Sequence, residues 1–408
     1  MLDIELIRQE PEKIKKGLQS KNVDSKLVDD FLDLDNQWRD LTKESDDARA
    51  QLNVLSQDRK IEEAKKVKEN IKELEAKLKD FDDHRNSLIK QMPNTPDSDW
   101  PIGKDEDDNV VMKEVGEKPK FDFEPKNYLA LAENLNLINI ERAGKVSGSR
   151  FGYLLNEAVL LEFALVNFAM EMLVAKGFSP VIPPVMARPE VMIGMGKGRF
   201  IDDKDAFHLP EDDLYLVGSS EHTIGPMHMN DVFDDKDLPK RYVGFSTCFR
   251  REAGSYGKDT KGILRVHQFD KVEMFSFADP KKSKEEHEFL LGVQEEMMQA
   301  LKLPYRVVQI STGDMGWGDA AQYDIETWLP GENQYRETQS CSNTTDFQSR
   351  GVNVKYKGPG DNKYVHMLNA TAFAIGRMII AILENYQTKD GHVVVPEALQ
   401  KYTHFKEI

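Results

Sequence analysis

At 408 residues the chain is long enough for two or three domains and a large core. Its formal net charge of −16 excludes a surface that is basic throughout, so contact with nucleic acid must use a local patch. Two cysteines, Cys248 and Cys341, exclude a zinc cluster of their own and a disulfide scaffold, and the chain reads as cytoplasmic. The start, MLDIELIRQEPEKIKKG, has no apolar signal region and carries the acidic residues that transit peptides lack. The longest apolar run found, ATAFAIGRMIIAIL (370–383), is too short to span a bilayer and contains Arg377, so no membrane partner is expected.

Leu27, Phe31, Leu34, Trp38, Leu41, Ser45, Ala48, Leu52 and Leu55 recur at 4-3 spacing. Ala64, Val67, Ile71, Leu74, Leu78, Phe81, Arg85, Leu88 and Met92 continue the series after a slip near Ser56–Lys60. The spacing predicts two long helices joined by a tight turn, an antiparallel coiled-coil hairpin about 45 Å long. Two readings of this arm stand: a dimerising or spacing coil, or a projection that reaches for something large. Lys65, Lys66, Lys68, Lys72, Lys77 and Lys79 are candidates for phosphate contact, while the interleaved Glu residues suit a merely solvated face.

PNTPDSDWPIGKDEDDN (93–109) is rich in Pro and Asp and reads as a linker. The expected organisation is an N-terminal domain at 1–100, a linker at 101–119 and a larger domain at 120–408. In the last, short β-type runs alternate with helix-like segments at 155–175 and 283–302, which predicts an α+β domain around an antiparallel sheet. No GxGxxG or GxxxxGK[ST] motif supports a Rossmann or P-loop fold.

Four stretches carry candidate chemistry. FRREAGSYGKDTKGILRVHQFDKVEMF (249–275) reads as a strand, a basic Gly-rich loop and a returning strand. Alternation places Arg250 with Glu252, and Phe269 and Lys271 with Glu273. Arginine forks, a loop with Lys258, Lys261 and Arg265, and the Phe269 ring suit a nucleotide; an exposed hairpin with charged cross-strand pairs fits equally. IETWLPGENQYRETQSCSN (325–343) places Glu326 and Glu337 on strands that lead to Ser340, Ser342 and Asn343. Those oxygens suit Mg²⁺ or an ordinary polar strand end. VHMLNATAFAIGRMIIAILENYQ (365–387) offers Asn369 or Thr371 as a helix N-cap before a nearly all-apolar helix. There Arg377 needs a partner, either a ligand phosphate or an internal carboxylate. LYLVGSSEHT (214–223) ends a strand in hydroxyls and a carboxylate. It suits a small polar amine or an N-capped acidic first turn.

Taken in this order, these stretches resemble the seryl-tRNA synthetase family, class II aminoacyl-tRNA synthetases, over essentially the whole chain. The first hundred residues resemble the family's tRNA-binding arm, and GFSPVIPPVMAR (177–188) its first motif, which builds a dimer interface. Residues 249–275 resemble the second motif, and LNATAFAIGRMIIAILENYQTKDGHVVVPEAL the third with the family's C-terminal tail. The resemblance implies a homodimeric serine–tRNA ligase that uses ATP as substrate with Mg²⁺, and serves tRNA(Ser) and, where present, tRNA(Sec). It implies ATP contacts at Arg250, Arg251, Glu252, Arg265, Phe269, Glu337, Thr338, Gln339, Ser340 and Arg377. Catalytic weight falls on Arg250, Glu337 and Arg377, and Mg²⁺ on Glu337 and Ser340 through ATP. It implies serine contacts at Ser219, Ser220, Glu221, Arg250, Glu273, Asn369 and Thr371, with Glu273 taking the ammonium and Thr371 meeting the hydroxyl.

Three positions depart from the family's usual pattern. Ser219-Ser220-Glu221 follows Gly218 where Thr-Ala-Glu after Pro is usual. Ala370 stands in Asn369-Ala370-Thr371 where Gly is usual, and Arg251 stands where a small polar residue is common. Two other functions remain to be separated: a paralogue that passes an activated amino acid to a non-tRNA acceptor, and a non-catalytic coiled-coil interaction protein.

Overall fold

The structure, a computed structural model, describes residues 1–253, 261–358 and 360–408. Lys258 therefore lies outside the described residues. The chain forms two compact units, Met1–Thr95 and Pro96–Ile408.

The first unit contains α1 (Ile4–Gln9), α2 (Pro11–Ser20), α3 (Lys26–Gln57) and α4 (Ile61–Lys90). Asp3 caps α1 by accepting from the Glu5 N–H, and Pro11 opens α2, where its missing N–H costs nothing. The long pair α3 and α4 is the predicted hairpin. Every heptad position from Leu27 to Leu55 and from Ala64 to Met92 is buried or half-buried, and the chain turns at 58–60. All six lysines of the candidate phosphate face are exposed.

A charged node sits in this apolar seam. Asp35 is fully buried and accepts from Arg8 Nε (2.8 Å) and Nη2 (2.9 Å). Arg85 Nη2 lies 3.0 Å from the same carboxylate, with its guanidinium 4.1 Å from the centre of the Trp38 ring. Asp35 lies beside the heptad stripe rather than in it, so periodicity did not mark it. Removing one partner of a buried ion pair strands the other. Asp35→Ala should cost this unit about 3–5 kcal/mol, read as an earlier loss of helical circular dichroism on heating. An unchanged melt would show that the node is not structural.

The second unit is built on eight strands: β1 (Val110–Val115), β2 (Ser179–Val181), β3 (Lys240–Phe249), β4 (Gln268–Ala278), β5 (Tyr305–Gln309), β6 (Ala321–Leu329), β7 (Gln334–Asn343) and β8 (His366–Ala374). They form one sheet in the order β1-β5-β6-β7-β8-β4-β3-β2, antiparallel throughout except that β2 runs parallel to β3. This is the predicted α+β arrangement. The supposed linker is different: residues 101–119 contribute β1, the edge strand paired with β5, and the division of the chain falls at Thr95.

Helices α5 (Glu157–Ala175), α7 (Ser283–Ala300) and α8 (Ile375–Asn385) pack on the sheet, and short α6 (Glu221–Ile224) follows the serine-rich turn. By length and composition α5 is apolar enough to cross a bilayer, and it is longer than the apolar run at 370–383. Leu161, Leu165, Phe168 and Leu173 bury one side of it in the core, and Phe168 stacks on Phe373 of β8. The sheet has apolar side chains on both faces. Val272 and Met274 of β4 join the main core, while Phe275 and Phe277 join a second cluster with Met195, Ile224 and Met367.

Candidate active site

Strand alternation places Phe269, Lys271 and Glu273 on the same face of β4 as Phe275 and Phe277. The apolar pair is covered, while the charged end opens into a cleft. Arg250, Glu252, Arg265, Phe269, Glu337, Thr338, Ser340, Thr371 and Arg377 all line it, together with Lys271, to which the sequence assigned no role.

Two β-bulges shape this cleft. The β6–β7 register pairs Ile325 with Gln339 but Glu326 with Glu337, leaving Thr338 without an opposite residue. The bulge lets Glu337 and Ser340 face the same cleft although they are three positions apart. The β4–β8 register similarly skips Ala372 between Phe373 and Thr371. Beyond the short β7–β8 ladder, Gln339 Nε2 donates to the Ala372 carbonyl (2.6 Å). Gln294 of α7, fully buried, donates to the carbonyls of Ser340 (2.9 Å) and Thr371 (2.7 Å).

Several sequence expectations are corrected here. Strand β3 ends at Phe249, so Arg250 and Glu252 share the cleft without sharing a strand face; Glu252 has φ +54°. Arg251 points elsewhere. Its Nε donates to the Ala206 carbonyl (3.2 Å) and its guanidinium lies 4.2 Å from the centre of the Phe207 ring, so it clamps the neighbouring loop. Gln339 does not line the cleft, because its amide bridges strands. Asn369 and Thr371 are not helix caps: both lie inside β8, and α8 begins at Ile375. Asn369 is buried opposite Phe275 and Ser342, on the Thr371 side of the strand. Glu326 pairs with Arg306 outside the cleft lining.

Arg377 and Arg265 have carboxylate partners in the cleft, whereas Arg250 meets a backbone carbonyl and a ring. Arg377 Nη1 meets Glu337 Oε2 (3.2 Å) and also donates to the Glu337 carbonyl (2.9 Å). An internal carboxylate is therefore its partner in the free site. The Glu337 side chain is 46% exposed; its partial desolvation pushes the carboxyl up, but Arg377, Arg250 and Arg265 outweigh it and hold it below the usual value. Asp324, paired in register with Ser340, is pushed well above its ordinary value by burial and by the Glu337 charge. Arg265 Nη1 is 3.6 Å from Glu252 Oε2. Arg250 donates through Nε to the Gly218 carbonyl (3.1 Å) and stands 5.5 Å from the centre of the Phe269 ring.

Next to this cleft lie Glu273 and the serine-rich turn. Glu273 is 1% exposed and holds Lys271 Nζ (2.7 Å) and the Thr371 hydroxyl (3.1 Å). Ser219, Ser220 and Glu221 are all buried at the start of α6; Glu221 makes its first turn acidic, but the Ser220 side chain forms no cap hydrogen bond. A Cβ on Gly244, which pairs with Glu273, would come 3.1 Å from the Ser220 hydroxyl, so the turn packs directly against this part of the sheet.

Glu221 Oε1 pairs with Lys197 Nζ (2.5 Å) and lies 3.4 Å from His222 Nε2. The Gly218 N–H donates to His222 Nδ1 (3.3 Å), which makes the ring a neutral tautomer with its proton on Nε2. Burial, with the charges of Lys197 and Arg250, lowers His222 from 6.5 to about 4. Unfolded His222 takes up its proton below about 6.5, whereas the folded ring resists until about 4. The native state therefore binds fewer protons in that window, and stability falls as pH falls. His222→Gln should flatten the loss of thermal stability between pH 6.5 and 4. A decline parallel to the parent protein would contradict the buried neutral ring.

With the geometry in place, its relatives can be compared. Residues 1–96 match the seryl-tRNA synthetase N-terminal domain, and residues 206–386 match the class II tRNA synthetase core domain (G, H, P, S and T). The serine–tRNA ligase of Thermobifida fusca is 44% identical over 98% of this chain and 97% of its own. That of Dictyoglomus turgidum is 43% identical over 100% of this chain and 99% of its own. The crystal structure of seryl-tRNA synthetase from Pyrococcus horikoshii complexed with ATP has a TM-score of 0.95 at 42% identity, covering 100% of this chain and 99% of its own. The cytoplasmic serine–tRNA ligase from Naegleria fowleri in complex with AMP has a TM-score of 0.91 at 35% identity, covering 100% and 98%. The chain belongs to the seryl-tRNA synthetase family of class II aminoacyl-tRNA synthetases.

Proposed function

We propose that the chain is a serine–tRNA ligase whose β3–β4–β8–β7 floor activates serine with ATP. One observation carries this reading: three arginines, Arg250, Arg265 and Arg377, converge with an aromatic ring, Phe269, in one cleft. Guanidinium forks suit phosphate oxygens and the ring suits adenine. Arg250 takes the α-phosphate and the serine carboxylate, Arg377 the γ-phosphate, Arg265 the phosphate chain, and Glu252 the adenine amino group. Glu273 takes the serine ammonium and Thr371 meets its hydroxyl, with Asn369 and the Ser219–Glu221 turn closing the pocket.

The donor set suits Mg²⁺. Glu337 and Ser340 offer hard oxygens at the cleft, which suit an ion held by one or two protein oxygens and shared with phosphates. Bound there, Mg²⁺ supplies positive charge against the ATP phosphates.

In the first step the serine carboxylate attacks the α-phosphorus and pyrophosphate departs. In the second, a terminal ribose hydroxyl of tRNA attacks the acyl carbon and AMP departs. The side chains hold the reactants in line and neutralise charge, and no protein nucleophile is required. The α3–α4 arm with its exposed lysines suits the tRNA backbone of tRNA(Ser), and of tRNA(Sec) where one exists. An apolar groove along α5 and β2, with Val174 and Ile182 at 48% and 84% exposed, suits a homodimer contact. Two free buried cysteines suit the cytoplasm. The match of residues 1–96 to the family's N-terminal domain favours tRNA over a carrier-protein acceptor.

Arg377→Ala should lower serine-dependent ATP–pyrophosphate exchange by about 10²–10³-fold while the protein stays folded. Near-normal exchange would remove Arg377 from the phosphate site. Deleting residues 27–92 should spare exchange and abolish tRNA acylation. Undiminished acylation would remove the arm from tRNA binding.

A further inference from the structure

Two carboxylates flank the amino-acid end of the cleft, and in the free protein each already holds a lysine. They differ in what else they hold. Glu273 is well supplied, by Lys271 from its own strand and by Thr371. Glu221 is not. Its Oε1 meets Lys197 and His222, but its Oε2 is buried without a hydrogen-bond partner, and so is the adjacent Ser220 hydroxyl. A buried acceptor left empty costs about 1–3 kcal/mol, more when charged. The Ser220 hydroxyl sits against Gly244, the residue opposite Glu273.

The two lysines also differ in their supports. Lys271 lies in the middle of the sheet on β4. Lys197 lies between Gly196, with φ +74°, and Gly198, where a Cβ would meet nothing within 4 Å. Its side chain is 28% exposed, against 7% for Glu221, so it has a route toward solvent that the carboxylate lacks. The Asp319 charge also attracts it, while that of Arg250 repels it.

We infer that Lys197 is a built-in placeholder for the substrate ammonium, occupying Glu221 until serine displaces it. An ammonium carries three donors. Glu273 accepts one in the proposed function, and the Glu221 carboxylate, once Lys197 has withdrawn from it, and the Ser220 hydroxyl accept the others. Exchange of one ammonium for another keeps Glu221 paired throughout, so the carboxylate is never buried as a bare charge. The placeholder lowers the apparent affinity for serine by the fraction of sites it occupies. It also makes occupancy of the Glu221 site depend on a competing cation, which a ligand lacking an ammonium cannot supply.

This inference rests on the serine-activating reading, and its test separates the two. Exchange is measured with serine, and inhibition with 3-hydroxypropionate, which is serine without its ammonium group. Lys197→Gln should lower the KM for serine about fivefold or more and leave the inhibition constant of 3-hydroxypropionate within about twofold of the parent. Lys197→Arg keeps a competing cation and should not reproduce the gain. A raised or unchanged KM for serine in Lys197→Gln overturns the placeholder role, as do equal shifts for both ligands. A Lys197→Gln chain that does not fold overturns it too, since the pair is then a structural necessity and not a displaceable contact. Failure of the parent protein to exchange with serine strikes instead at the proposed function.

Discussion

Two glutamine amides hold the sheet open where the chemistry sits. Strands β7 and β8 pair directly only from Cys341–Ala370 to Asn343–Leu368. Beyond that the ladder stops, and Gln339 and Gln294 take the carbonyls of Ala372, Ser340 and Thr371 that it leaves behind. Buried backbone groups need such partners, so the glutamines let the strands end their pairing with these carbonyls satisfied, while the Oε1 atoms of Gln294 and Gln339 themselves stay buried without a partner. The bulges at Thr338 and Ala372 lie in the same region. Together they turn Glu337, Ser340 and Thr371 toward one cleft that a regular ladder would have divided between two faces.

The second constraint is charge. A sheet floor carrying Arg377, Lys271, Glu273 and Glu337 cannot lie next to an apolar core unless its ions are matched. In the free site they are: Arg377 with Glu337, Arg265 with Glu252, Lys271 with Glu273 and Lys197 with Glu221. In the proposed function each pair is traded for a ligand charge. There a phosphate replaces Glu337 at Arg377, which leaves Glu337, 46% exposed, to share a cation with the phosphates. On that reading the complementarity to a triphosphate and a zwitterion is held in the free site as internal ion pairs.

The sequence showed the arm and the main strands because their signals are periodic. Every heptad position from Leu27 to Met92 avoids full exposure, and alternation along β4 put Phe269, Lys271 and Glu273 on one face. It missed what periodicity cannot encode. Arg250 and Glu252 meet through a left-handed residue beyond the strand end, and Glu337 and Ser340 meet through a bulge. Asn369 and Thr371 looked like helix caps because polar residues before an apolar run are normally caps, but here the polar residues finish a strand. β1 was hidden because an Asp-rich stretch precedes an edge strand whose side chains are mostly exposed. Lys197 carried no signal at all, since its partner lies in a distant segment.

In the proposed function the charged end of this sheet binds a seryl-adenylate. The most direct measurement is a crystal structure of the protein with a non-hydrolysable seryl-adenylate analogue. Adenine on Phe269, the phosphate mimic at Arg250, and the serine ammonium between Glu273 and Glu221 with Lys197 withdrawn are the predicted result. An analogue bound away from the β3–β4–β8–β7 floor, or an adenine that leaves Phe269 and Arg250 untouched, would contradict the account.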